Sequence, residues 1–163
     1  MKNRKLNRLA DYDYSQERDY FVTCNTHNRV KHFGEIKNKE MILNGHGEIV
    51  SEQWNWLLIQ YPYLKSDAFI IMPDHFHAIM SISIPVDLKL NVKENQLKIK
   101  PLSELVGAFK TTSARRINLA GNASFAWQRS FYDKIIRSPL EYQNIKRYIQ
   151  NNPSAWDNHH DTR

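Results

Sequence analysis

The stretch IIMPDHFHAIM (70–80) places His75 and His77 one residue apart inside an otherwise apolar run. On a β-strand, residues i and i+2 point to the same face, so the two imidazoles stand side by side while Phe76 points the other way. Such a pair can bind one divalent cation, or it can be a hydrogen-bonded pair on a half-exposed sheet face. Two nitrogen ligands do not complete a catalytic metal site; a third protein ligand and open positions for water or substrate are needed. Further along, SPLEYQNIKRYIQNNP (138–153) has a helical pattern. Asn152 follows Tyr148 by four residues, on the same side one turn later. It can cap the helix C-terminus or offer its carbonyl oxygen to a metal. Tyr148, at the edge of the apolar stripe, can pack with its hydroxyl in water or use that hydroxyl as a nucleophile. The four residues share one chemistry. A cation held by two imidazoles and an amide can polarise a phosphate, and a tyrosine one turn from the third ligand can attack its phosphorus.

A free tyrosine has a pKa near ~10, so the cation and nearby Lys or Arg must favour the phenolate. Lys146 and Arg147 adjoin Tyr148, and Lys110 lies on another predicted helix; each is otherwise a solvated charge. No H-E-x-x-H pattern offers a zinc alternative. Cys24 is the single cysteine, which excludes an internal disulfide and a cysteine-rich zinc site and suits the cytosol. The tail DNHHD (157–161) is metal-capable but terminal. His27, His32 and His46 have no partner spacing and read as structural or surface residues.

The chain has 163 residues, 41% hydrophobic and 25% charged, which reads as one globular domain with a core. Its net charge of +6 favours polyanionic partners, nucleic acid first. No apolar run approaches the ~20 residues of a membrane span. The basic N-terminus lacks the apolar region of a secretory signal, so a cytoplasmic protein is expected.

The elements that must position these groups follow from periodicity. DYFVTCNTH (19–27) reads as a strand, and RVKHFGEI after it as a strand that pairs with it. LNGHGEIV reads as a turn. SEQWNWLLIQY (51–61) has apolar residues at helical spacing: Trp54, Leu57, Leu58 and Tyr61. KSDAFIIM and HFHAIMSISI read as a hairpin broken at Pro73-Asp74. PLSELVGAFKTTSARRINLAG is a helix with the stripe Leu102, Leu105, Val106 and Phe109, stopped at Gly121. It carries or adjoins Lys110, Arg115 and Arg116. FAWQRSFYDKIIR holds a strand. In the last helix Ser138 is the N-cap, Pro139 the first position and Glu141 the partner of a capping box; Tyr142, Ile145 and Ile149 form its buried stripe, and Pro153 ends it. The predicted fold is α+β, a ferredoxin-like or RRM-like antiparallel sheet with helices mainly on one face. It forms one domain over 1–163, with a basic arm at 1–18, a flexible insertion at 84–100 and a tail at 154–163.

At this point the sequence resembles a known family. MPDHFHAIM is similar to the histidine–hydrophobic–histidine strand of HUH endonucleases. WQRSFYDKIIRSPLEYQNIKRYIQNNPSAW resembles the C-terminal signature of the REP-associated tyrosine transposases, and YDYSQERDYFVTCNTHNRVKHFGEI resembles their first hairpin. The likeness runs from about Asp11 to Trp156. It implies the HUH nuclease fold and a bacterial enzyme acting on single-stranded DNA at a palindromic repeat folded as a hairpin. His75 and His77 match the metal-binding histidines, with Mg²⁺ or Mn²⁺ as the ion. Asn152 matches the third ligand and Tyr148 the nucleophile. The implied reaction is transesterification through a 5′-phosphotyrosine, reversible by a second DNA 3′-hydroxyl, as in DNA transposition.

Lys110, Arg115, Arg116, Arg129, Lys146 and Arg147 are the DNA-binding candidates. Trp127, Gln128 and Arg129 match a family motif without an assigned role. Asp74 departs from the asparagine more usual before the first histidine, in a turn where little effect is expected. The resemblance leaves open a monomer or a homodimer, and whether Tyr148 serves its own histidines or a partner's. Tyr142 is a rival nucleophile, but it is ~15 Å from Asn152 along a helix rising 1.5 Å per residue. Two other readings stand beside this one: a non-catalytic hairpin-DNA-binding protein on the same fold, and a metal-dependent hydrolase of small phosphates. The second gives Tyr148 no role.

Overall fold

The structure is a computed structural model that describes residues 12–156. Its central sheet is antiparallel. Strand β1 (Arg18–Asn25) lies between β6 (His75–Ile82) and β7 (Tyr132–Ile136), and β6 also pairs with the short strands β4 (Leu64–Lys65) and β5 (Phe69–Ile71). Strands β2 (Gly34–Lys37) and β3 (Glu40–Leu43) form a separate two-stranded ribbon. The helices are α1 (Gly45–Gln60), α2 (Val86–Lys93), α3 (Leu102–Leu119) and α4 (Pro139–Ala155).

Strand alternation sorts the sheet into two faces. Tyr20, Val22 and Cys24 of β1 and Phe76, Ala78, Met80 and Ile82 of β6 enter the main core. There they join Trp54 and Leu57 of α1 and Leu102, Leu105, Val106 and Phe109 of α3. The opposite face carries a smaller cluster in which Ile79 and Ile136 meet Ile149 of α4, with Tyr142 and Ile145 partly buried against it. The expected architecture holds: α1 and α3 cover one face, and α4 crosses the other. The β5–β6 hairpin over Pro73-Asp74 is also as expected.

Several local expectations do not hold. The RVKHFGEI segment does not pair with β1; its last three residues and Lys37 form β2, which pairs with β3 through a tight turn in which Asn38 and Lys39 both have positive φ. LNGHGEIV is not a turn but the start of α1. Asn44 is the N-cap, its side-chain oxygen accepting from the N–H groups of His46 and Gly47 at 3.0 Å. Gly47 is required because a Cβ there would lie 2.3 Å from the Phe33 carbonyl oxygen. The 84–100 insertion contains α2, and Ile84, Val92 and Leu97 pack partly against the core. Part of the 1–18 arm packs as well: the Tyr12 and Tyr14 rings lie 6.4 and 5.8 Å from that of Tyr20.

Ser138 caps α4 as expected, accepting from the Glu141 N–H at 3.1 Å. The Glu141 carboxylate accepts from the Arg137 N–H, one residue before the usual capping-box partner. Pro153 does not end α4, which runs on to Ala155 with the proline ring buried in its last turn. A proline there forgoes one backbone hydrogen bond, and burial of its ring offsets part of that cost. The DNHHD stretch lies outside the described residues. Among the described residues, no helix is long and apolar enough to cross a membrane.

Candidate active site

The α4 side of the sheet opens into a cavity of ≈ 600 Å³ at the Asn25–His75 end of the β1–β6 ladder. Its lining includes His75, His77, Tyr148 and Asn152 together. Thr23 faces His77 across the β1–β6 ladder, and Asn25 faces His75. The histidine rings are 4.6 Å apart between centroids. The Tyr148 ring lies 5.4 Å from that of its own chain's His77 and 6.1 Å from that of Phe21. Trp156, just past α4, stacks beside His75 at 6.1 Å. Tyr148 is 53% exposed, so its hydroxyl is open to a substrate, whereas His75 and His77 are 7% and 6% exposed.

Both histidines have one ring nitrogen engaged by a neighbour. His75 Nδ1 lies 2.6 Å from Asp74 Oδ1, and His77 Nδ1 lies 2.7 Å from Thr23 Oγ1. An ionised carboxylate only accepts, so His75 donates from Nδ1 and presents a bare Nε2 when neutral. The Thr23 hydroxyl can accept from His77 in the same sense. Fixing a histidine through its second nitrogen is how metal-binding histidines are oriented. Burial, reinforced by the charges of His75 and Arg29, pushes the His77 pKa down to about 3 and keeps the ring neutral. For Asp74, burial alone would raise the pKa. The hydrogen bond and charge of His75, with those of Arg29, outweigh it and hold the carboxyl below its ordinary value. Two imidazoles and the amide of Asn152 make a donor set that fits a divalent cation. Among the described residues, no cluster of three His, Cys, Asp or Glu side chains offers another cation site.

The structure brings the four residues grouped from the sequence to one cavity, together with supports that the sequence did not reveal. Thr23 is found only through the strand register. Asp74 is buried and ion-paired rather than an idle turn residue: Arg29 donates from Nε to Oδ2 at 3.1 Å and from Nη2 to Oδ1 at 3.3 Å. Arg29 Nη2 also lies 3.4 Å from His75 Nδ1.

The six cationic DNA-binding candidates do not line the cavity. Lys110 donates from Nζ to the Gln128 carbonyl at 2.7 Å, Arg116 pairs with Glu52 at 2.7 Å, and Lys146 pairs with Asp67 at 2.7 Å. Arg115, Arg129 and Arg147 are exposed elsewhere. Trp127 is buried, its Nε1–H donating to Ser113 Oγ at 3.0 Å, and the Gln128 N–H donates to the Asn25 carbonyl at 2.8 Å. That motif therefore stitches its loop to α3 and to the end of β1. Tyr142 donates its hydroxyl to Asp67 Oδ2 at 3.0 Å, outside the cavity lining.

An uncharacterized protein of Haemophilus influenzae is 36% identical to this chain over 168 residues, spanning 95% of this chain and 91% of the relative. The two proteins belong to one family. No family model matches the chain. Among solved structures, a REP-associated tyrosine transposase bound to a REP hairpin superposes with a TM-score of 0.63 at 16% identity, over 91% of this chain and 73% of that one. A Deinococcus radiodurans protein provisionally called a transposase gives 0.51 at 18% identity, over 93% and 96%. The chain thus has the fold of the REP-associated tyrosine transposases.

Proposed function

We propose that this protein is a metal-dependent single-stranded DNA endonuclease and strand transferase of the transposase type, acting on hairpin DNA. The observation that carries this is the placing of Tyr148, exposed and one helical turn before Asn152, beside two buried histidines whose Nδ1 atoms are already engaged. The fold neighbour bound to a REP hairpin supports the choice of substrate.

In the proposed reaction the Tyr148 hydroxyl loses its proton and its oxygen attacks the phosphorus. The bond from phosphorus to the 3′-oxygen breaks, the 3′-hydroxyl leaves with a proton, and the 5′-phosphate stays on tyrosine. A 3′-hydroxyl of another strand reverses the step, so the phosphodiester energy is conserved. Mg²⁺ or Mn²⁺, held by His75, His77 and Asn152, would act as a Lewis acid toward the phosphate and lower the cost of the developing charge. Asp74 and Thr23 keep the imidazoles oriented. Gathering the nucleophile and the donor set in one pocket speaks against a binding-only role, and the exposed phenol speaks against a water-based hydrolase.

The test is incubation of the protein with single-stranded hairpin oligonucleotides and Mn²⁺, followed by denaturing gels and mass spectrometry for a DNA adduct on Tyr148. Tyr148→Phe is expected to bind DNA but form neither adduct nor product, while Tyr142→Phe keeps both. Full cleavage by Tyr148→Phe would refute the proposal.

A further inference from the structure

The link from β1 to the ribbon takes an unusual path beside the cavity. Asn28 (φ 56°) and Arg29 (φ 57°) are successive non-glycine residues in the left-handed region, where L side chains are disfavoured. Thr26 locks the turn. Its N–H donates to the Asp74 carbonyl at 2.9 Å, and its hydroxyl lies 2.7 Å from the Val30 carbonyl and 3.0 Å from that of Asp74. Strained backbone held by this many bonds points to a side chain that must be aimed. The side chain aimed here is Arg29. Its Nε and Nη2 rest on Asp74, and Nη1 donates to Asn25 Oδ1 at 2.7 Å. A guanidinium has five N–H donors. These bonds leave η hydrogens available on a side chain that is 50% exposed and lines the cavity. Of the described residues lining that cavity, Arg29 alone is a lysine or arginine.

From this geometry we infer that Arg29 is the phosphate-receiving residue of the site, its η nitrogens contacting a non-bridging oxygen of the phosphodiester that Tyr148 attacks. This rests on the function proposed above. Attack by the tyrosine oxygen increases the charge on the non-bridging oxygens. A cation already fixed in place stabilises that charge without reorganising. Arginine suits the position because its planar fork can sit on the Asp74 carboxylate and still present an N–H edge to phosphate; a lysine ammonium has no second edge. Asp74 is then a positioning residue for two groups at once, His75 and Arg29.

The test uses a hairpin oligonucleotide with single-stranded flanks, the full chain carrying Tyr148→Phe, and EDTA, so that binding is read without cleavage or metal. Arg29→Gln is expected to weaken binding at least tenfold at low salt and to flatten the dependence of log affinity on log salt by about 0.7, the share of one single-strand phosphate. Replacing each flank phosphate in turn by a neutral methylphosphonate should abolish the effect of Arg29→Gln at one position only. That position should be the bond cut by the protein with Tyr148 intact. Arg29→Lys keeps the charge, so it should keep the salt slope while slowing single-turnover cleavage at least tenfold. An unchanged slope in Arg29→Gln, or equal sensitivity at every methylphosphonate position, would mean that Arg29 only braces Asp74 and would overturn the inference. If the Tyr148→Phe protein with Arg29 intact does not bind the hairpin at all, the proposed function itself falls.

Discussion

His77 offers the most quantitative test of the site. It is 6% exposed and its pKa is lowered from 6.5 to about 3, chiefly by burial. Above pH 6.5 the ring is neutral both folded and unfolded, so it adds no pH dependence. Between 6.5 and about 3 the unfolded chain binds a proton that the folded chain refuses, and stability falls by ~1.4 kcal/mol per pH unit. Integrated from pH 7 to pH 4, this one group removes about 3 kcal/mol. Carboxylates titrate below that range too, so the informative quantity is a difference. Urea unfolding of the full chain and of His77→Asn, both in EDTA, should show the parent losing about 3 kcal/mol more than the variant between pH 7 and pH 4. Parallel pH profiles would refute the reasoning, because they would mean that His77 is protonated in the folded state. A protonated ring donates from both nitrogens and cannot serve as a metal ligand.

Three further outcomes are expected. Gly107→Ala in α3 should stabilise by about 0.5–1 kcal/mol, since an added Cβ meets nothing within 4 Å, whereas Gly47→Ala should destabilise by at least ~1 kcal/mol through its clash with the Phe33 carbonyl; thermal melts compare them. Ser138→Ala removes the α4 cap and should cost ~1 kcal/mol in urea unfolding, with Ser138→Gly costing only a few tenths. Ser113→Ala leaves the buried indole N–H of Trp127 without its acceptor and should cost roughly 1–3 kcal/mol by the same measurement.

The sequence read most clearly where spacing alone decides geometry. His75 and His77 had to share a face because a strand has period two, and Tyr148 and Asn152 had to share a side because a helix brings i and i+4 together. The start of α4 was legible because Ser138 and Pro139 are local signals. What stayed hidden depends on partners far along the chain. That Thr23 meets His77 follows from strand register, which an isolated strand does not specify. The ribbon strand β2 looked like a partner for β1 until the left-handed pair at Asn28 and Arg29 turned the chain away. The same turn hid Arg29, which carries no motif and whose only unusual feature is its backbone. Asp74 looked incidental because a turn carboxylate is normally solvated, whereas here two partners make its burial tolerable. A charge count also does not distinguish Lys110, folded onto backbone carbonyls, from exposed cations such as Arg115 on the same helix.

The two tyrosines of α4, Tyr142 and Tyr148, sit in different surroundings. Tyr142 is partly buried, donates to Asp67, and has its pKa raised to about 12 by burial first and then by that carboxylate. A phenolate at Tyr142 would face Asp67 as like against like, so the hydroxyl keeps its proton and donates it to that carboxylate. Asp67 also takes the Lys146 ammonium, whose hydrogen bond is the larger cause of its own lowered pKa. Two positions four residues apart on α4 are therefore tied to one loop carboxylate, while Ile145 and Ile149 bury the helix against Ile79 and Ile136. These ties fix the rotation of α4 about its axis. With that rotation fixed, Tyr148 is turned out over His77 with no carboxylate among the residues lining its cavity, and Asn152 follows it into the same space. The Asp67 anchor thus adds to the apolar packing that places Tyr148. Lys146 is held by that anchor and kept off the cavity, so among the described residues lining the cavity the lysine or arginine present is Arg29, from another part of the chain.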